Sequence, residues 1–163
     1  MTATFDLKRY QDPLEIQRAL LGAKTVAVVG LSGNSLRASN FIGFYLKRHG
    51  YDVIPVNPRE KEILGEECYG SLLDISVPVD IVNVFRNPEA LPGIAKDAVA
   101  IGVKVLWGQF NVISEEGARI AEESGVTVIM DRCIKVEHAR YVGRMHWLGF
   151  NTGRITSVRR GLE

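Results

Sequence analysis

The stretch TVAVVGLSGNSLRAS, Thr25 to Ser39, decides how this chain folds. Thr25 to Val29 is an unbroken β-branched and apolar run of strand length, and it stops at Gly30. A small, polar loop follows, Gly30-Leu31-Ser32-Gly33-Asn34-Ser35. It gives way to a helical pattern around Phe41, Tyr45 and Leu46 that ends at Gly50. A buried strand, a glycine-bearing loop and a helix start form the first βα turn of a parallel sheet. In such a turn, backbone N–H groups and the positive end of the helix dipole can hold a phosphate. The plainer reading is a tight turn with a serine or asparagine helix cap.

A dinucleotide loop reads G-x-G-x-x-G, with an acid at the end of the next strand to bond a ribose hydroxyl. Aligned on Gly30, this chain places Ser32 and Ser35 at the second and third glycine positions. Its next strand, Tyr51 to Val56, runs into Asn57-Pro58-Arg59 with no carboxylate at that place. These departures weaken a nicotinamide-dinucleotide reading and leave the phosphate reading intact. Arg37 before the helix, with Arg59 and Lys61 after the second strand, supplies charge suited to a multiply phosphorylated ligand.

Working outward, Asp12-Pro13-Leu14-Glu15 opens a helix with a cap, a proline at the first helical position and an acid three residues on; it closes near Gly22. Residues before it form an extended lead-in. Residues 57–73 read as a short edge strand reached without a crossover helix. Val79 to Phe85 (VDIVNVF) is a buried strand ending at Arg86, and Asn87-Pro88-Glu89 starts a helix that ends at Gly102. Val103 to Trp107 is the next strand, then comes a helix capped by Ser114, then a last strand, Val126 to Met130. Strands alternating with helices predict an α/β fold: a doubly wound parallel sheet in three layers, αβα, of order 3-2-1-4-5-6, with its ligand at the carboxyl ends of the strands. Those ends are Gly30 to Ser32, Val56 to Pro58, Val84 to Arg86, Trp107 to Gln109 and Met130 to Cys133, and they should share one rim. Arg86 either faces that crevice or pairs with Asp80 or Glu89. Trp107 and Gln109 either meet a ligand or close the core rim.

Composition sets bounds. With 163 residues, 46% apolar and 24% charged, the chain reads as one domain over 1–163 with an ordinary core. A net charge of +1 argues against a nucleic-acid binder. No apolar run approaches the ~18 residues of a membrane span and no signal pattern opens the chain, so the cytoplasm is the expected location. Cys68 and Cys133 are far apart, without CxxC or histidine at ligand spacing, and read as free thiols rather than a disulfide or a metal site. The tail, residues 145–163, lacks a period and is expected to fold back or to cover a partner subunit in a homo-oligomer.

With these residues in view, the chain resembles the small stand-alone CoA-binding proteins, Rossmann-like domains similar to the CoA-binding domain of the succinyl-CoA synthetase alpha subunit. The resemblance rests on VAVVGLSGNSLRASN, GYDVIPVNPREKEILGEECYGSL, VDIVNVFRNPE, VLWGQFNVI, VIMDRCIKVEHAR and GFNTGRITSVRR in that order. It implies that CoA or an acyl-CoA lies across the strand ends. Its ADP moiety would be held by Gly30, Leu31, Ser32, Arg37 and Ser39, by Asn57 and Arg59, and by Phe85 and Arg86, with the pantetheine arm running toward Trp107 and Gln109. Two positions depart from the family pattern: no proline precedes Ser39, and Asn111 stands where glycine is common.

Catalysis finds little support. Gly30 to Asn34 approaches a nucleophile elbow, but Asn34 breaks G-x-S-x-G. Cys133 lies near Glu137 and His138 in sequence; it reads as a packed cysteine or, in the alternative, as a rim thiol that forms a mixed disulfide with CoA. The rival functions are an NAD(P)-dependent oxidoreductase, for which no Tyr-x-x-x-Lys pair is found, and a redox-sensing nucleotide-binding regulator, for which no DNA-binding unit is found upstream.

Overall fold

The computed structural model describes residues 4–143. The expected tail and its GFNTGRITSVRR motif lie outside them. Five parallel strands form the sheet: β1 (Thr25–Val29), β2 (Asp52–Val56), β5 (Ile81–Val84), β6 (Val105–Gly108) and β7 (Thr127–Ile129), in the order β2-β1-β5-β6-β7. Along β1, Val26 and Val28 enter one core while Ala27 and Val29 enter the other. Burial on both faces explains why the strand reads as a continuous apolar run.

Helices α1 (Pro13–Gly22), α2 (Ala38–Arg48) and α5 (Ile134–Tyr141) cover one face; α3 (Leu91–Ala100) and α4 (Glu115–Glu123) cover the other. Local chemistry sets several helix starts. The Asp12 carboxylate accepts from Leu14 N–H with Pro13 at the first helical position, and Ser114 Oγ accepts from Gly117 N–H. The lead-in carries one 3-10 turn, Leu7–Tyr10. Tyr10 C=O accepts from Met130 N–H beyond β7, and Gln11 Nε2 donates to Met130 C=O.

One expected element takes another form. In place of a third sheet strand, β3 (Glu62–Ile63) and β4 (Glu66–Glu67) make an antiparallel hairpin, and the sheet's pairing beyond β2 is reduced to the bridge between Val56 and Tyr69. The turn, Leu64-Gly65, has φ of 55° and 75°. Positive φ at both central residues matches the twist of a tight hairpin, and the cost at Leu64 is borne by packing of its side chain over Gly43 of α2. Lys47 fastens the hairpin to α2, donating to Leu64 C=O at 2.7 Å and pairing with Glu66 at 3.0 Å.

Between α2 and α5, His138 is buried and its Nδ1 shares a 2.9 Å hydrogen bond with Tyr45 Oη. The rings of His49 and Tyr51 lie 5.1 and 5.6 Å away. Burial, with His49 adding to it, pushes the His138 imidazole down to about 4 from 6.5. The unfolded chain therefore takes up a proton between those values that the folded chain refuses, so stability falls as pH drops through that window. The full effect is roughly 3 kcal/mol. Neighbouring Glu137 works the other way, because burial raises its carboxyl despite Arg140 and Arg132. Denaturant unfolding at pH 7 and pH 5 should show that His138→Gln flattens the acid loss; an unchanged slope would contradict this origin.

Candidate functional site

All five carboxyl ends of the sheet strands open on one rim, tied by backbone bonds beyond the last pairs: Gly30 N–H to Val56 C=O, Phe85 N–H to Val29 C=O, Gln109 N–H to Val84 C=O, and Arg132 N–H to Gly108 C=O. Gly30 stands at the centre of this rim with φ of 86°. A Cβ there would lie 2.6 Å from Phe85 O and 3.2 Å from Arg86 Cδ, so the chain after β5 presses directly on the loop after β1.

The loop is held from both sides. Leu31 is fully buried beneath α2, against Gly43. Asn57 Nδ2 donates to Leu31 C=O at 3.0 Å, and Asn57 Oδ1 accepts from Arg59 N–H at 2.9 Å. Ser39 Oγ accepts from Ser32 N–H at 3.1 Å, and Asn40 Nδ2 donates to Ser32 C=O at 2.8 Å. Arg37 holds the cap position of α2, yet its side chain makes no capping bond. The positive end of the helix is thus left without a side-chain acceptor of its own, beside a hollow of about 360 Å³ lined by Gly30, Ser32, Arg37, Ala38, Ser39 and Phe85. Gly30 also lines a second hollow, about 210 Å³, whose walls mix the apolar Val56, Pro58, Leu72, Ala90 and Ile94 with the polar Asn57, Ser71, Arg86 and Asp97.

The structure therefore gathers Gly30, Leu31, Ser32, Arg37, Ser39, Asn57, Arg59, Phe85 and Arg86 about one loop. Arg86 pairs with neither carboxylate considered from sequence: Asp80 lies at the opposite end of β5, accepting from Lys24 and Thr25 N–H and pairing with Lys104, and among the described residues no ion pair joins Arg86 to Glu89.

Of the two readings open for Trp107 and Gln109, the structure shows both side chains packed inside the rim. Trp107 is fully buried, with its Nε1 donating to Arg132 C=O at 2.8 Å. Gln109 is 4% exposed, and its Oε1 accepts from both Asn83 Nδ2 and Ile134 N–H. Strand alternation places Trp107 with Val105 in the core under α1, α2 and α5, and both Trp107 and Gln109 brace the rim from within. Cys133 is likewise buried ahead of α5, without the exposure a mixed disulfide requires. Its distant counterpart, Cys68, is nearer the loop. The Cys68 thiol donates to Asn57 C=O at 3.4 Å, and burial raises its pKa.

The departures from the family pattern have simple local outcomes. The helix starts at Ala38 without a proline, and Asn111 adopts φ of 66°, the left-handed region that asparagine tolerates. Its N–H donates to Asp131 Oδ1 at 2.8 Å. Asn40 was missed from sequence, although it had a visible signal: with Ser39 it is one of two polar residues on the buried face of α2.

Among the described residues no group of His, Cys, Asp and Glu could hold a metal ion, and no helix is long and apolar enough to cross a membrane. A larger cleft, about 720 Å³, lies at the amino end of the sheet between Lys24, Tyr51, Ile54 and Val77, away from the glycine loop.

Comparison with known proteins gives concordant matches. Residues 24–139 match a family described as the CoA binding domain. An uncharacterized protein, YneT, of Bacillus subtilis is 45% identical over 125 residues, covering 77% of this chain and 93% of the relative. The ADP-forming acetate–CoA ligase II of Archaeoglobus fulgidus is 32% identical over 117 residues, which make up 71% of this chain and 17% of the ligase. A solved hypothetical protein from Pyrococcus horikoshii superposes with a TM-score of 0.80 at 36% identity, covering 88% of this chain and all of that one.

Proposed function

The chain belongs to the family of CoA binding domains, and from that membership we propose that it binds coenzyme A or an acyl-CoA at the carboxyl rim of its sheet, as a binding module without a reaction of its own. The observation that carries this reading is the uncapped start of α2 beside Gly30, with Arg37 at the cap. Backbone N–H groups, a helix dipole and guanidinium groups together suit a diphosphate. In this reading the diphosphate lies over the loop at Ser32, Arg37 and Ser39, with Arg59 and Arg86 reaching the remaining phosphate charge. The adenine takes the hollow between Val56, Leu72 and Ile94. Trp107 and Gln109 keep the rim rigid and do not touch the ligand.

Isothermal titration with CoA, acetyl-CoA, NAD and NADP tests this. CoA or acetyl-CoA should bind and the nicotinamide nucleotides should not. Arg37→Ala and Arg86→Ala should each weaken CoA roughly tenfold or more, the worth of a charge-assisted hydrogen bond. Tight binding of NAD or NADP with no response to CoA would overturn the proposal in favour of an oxidoreductase.

A further inference from the structure

Glu60 lies four residues beyond the end of β2, between Arg59 and Lys61. Its carboxylate packs against Gly33 of the glycine loop, in the space that a side chain at that position would fill. From the place of a Cβ on Gly33, Glu60 Oε1 is 3.0 Å, Cδ 3.2 Å and Oε2 3.3 Å away. Its sequence neighbours Arg59 and Lys61, and Arg37 at the far end of the loop, are all cations. Yet among the described residues no ion pair within 4.0 Å joins Glu60 to any of them. The carboxylate rests on the loop by packing alone, since among the described residues no hydrogen bond joins it to a loop N–H either.

A loop that attracts anions through N–H groups and a helix dipole attracts a carboxylate for the same reason that it attracts a phosphate. We propose that Glu60 is the loop's own anion, held against Gly33 when no phosphate is bound, and that it opposes the ligand's phosphates and so sets the affinity of the site. This rests on the reading of the rim as a CoA site. When ligand binds, the exposed Glu60 side chain swings outward, and the attraction it gives up is subtracted from the ligand's.

Glu60→Gln keeps the size and hydrogen-bonding reach of the side chain and removes its charge. Titrated with CoA at low salt, the variant should bind roughly tenfold more tightly than wild type, and the gain should shrink at high salt, where repulsion between exposed charges is screened. Inorganic pyrophosphate is the second probe and should show the same ordering. Unchanged or weaker binding by Glu60→Gln would overturn the proposal, and weaker binding would mean that the carboxylate accepts a hydrogen bond from the ligand. If neither protein binds CoA while Glu60→Gln binds pyrophosphate more tightly, the CoA reading fails and the role of Glu60 stands. If neither protein binds either probe, both fail.

Discussion

Trp107→Ala is expected to destabilise the protein by roughly 4 kcal/mol, the usual cost of emptying a fully buried aromatic site. For a chain of this size that lowers the melting temperature by about 12 °C. The side chain is fully buried among Val28, Leu31, Ile129 and Ile134, and its Nε1 donates to Arg132 C=O. Truncation therefore leaves both a cavity and an unsatisfied carbonyl. Trp107→Phe separates the core role from a ligand role. It keeps most of the volume and loses the hydrogen bond, so stability should drop by about 1–2 kcal/mol while CoA affinity stays within a few fold. A large loss of affinity in Trp107→Phe with little change in unfolding would return Trp107 to the binding surface.

Gly30→Val is expected to cost roughly 3 kcal/mol or more and to abolish CoA binding. A left-handed conformation costs an ordinary L-residue about 1–2 kcal/mol, more for a β-branched one. The new Cβ would also stand 2.6 Å from Phe85 O. Relief requires the segment after β5 to move away from the loop after β1, separating Arg86 from the loop it adjoins. Denaturant unfolding reads the first effect and titration with CoA the second. Wild-type affinity in a folded Gly30→Val protein would place the ligand elsewhere.

Much of the architecture was legible in the sequence because single residues carried strong local chemistry. Asp12-Pro13 and Ser114 announced their helices, and β1 and β5, buried on both faces, read as uninterrupted apolar runs. The parallel order then implied that residues far apart in sequence, such as Gly30, Asn57 and Arg86, meet at one rim, as they do. The segment after β2 was not legible in the same way. Its Leu64-Gly65 turn lacks the asparagine or aspartate that usually marks a hairpin, and what stabilises it are contacts with Gly43 and Lys47 of α2 that no local pattern reveals. Glu60 was hidden for a related reason: the turn after β2, closed by Glu60 N–H on Asn57 C=O, brings it against a loop nearly thirty residues earlier in the chain. For Trp107 the strand pattern leaves both roles open, because the sheet is buried on both faces and either pleat direction meets a core; the bond from Nε1 to Arg132 C=O depends on a loop distant in sequence.

The central claim is that CoA binds across the carboxyl ends of the strands, around the loop from Gly30 to Ser39. Following backbone amide chemical shifts during titration with CoA tests it most directly. The account predicts that the largest changes fall on Gly30 to Ser39, Asn57 to Arg59 and Phe85 to Arg86, with none at Lys24, Thr25, Tyr51 or Val77 around the cleft at the other end of the sheet. Shifts confined to that opposite cleft, or no shifts at saturating CoA, would contradict it.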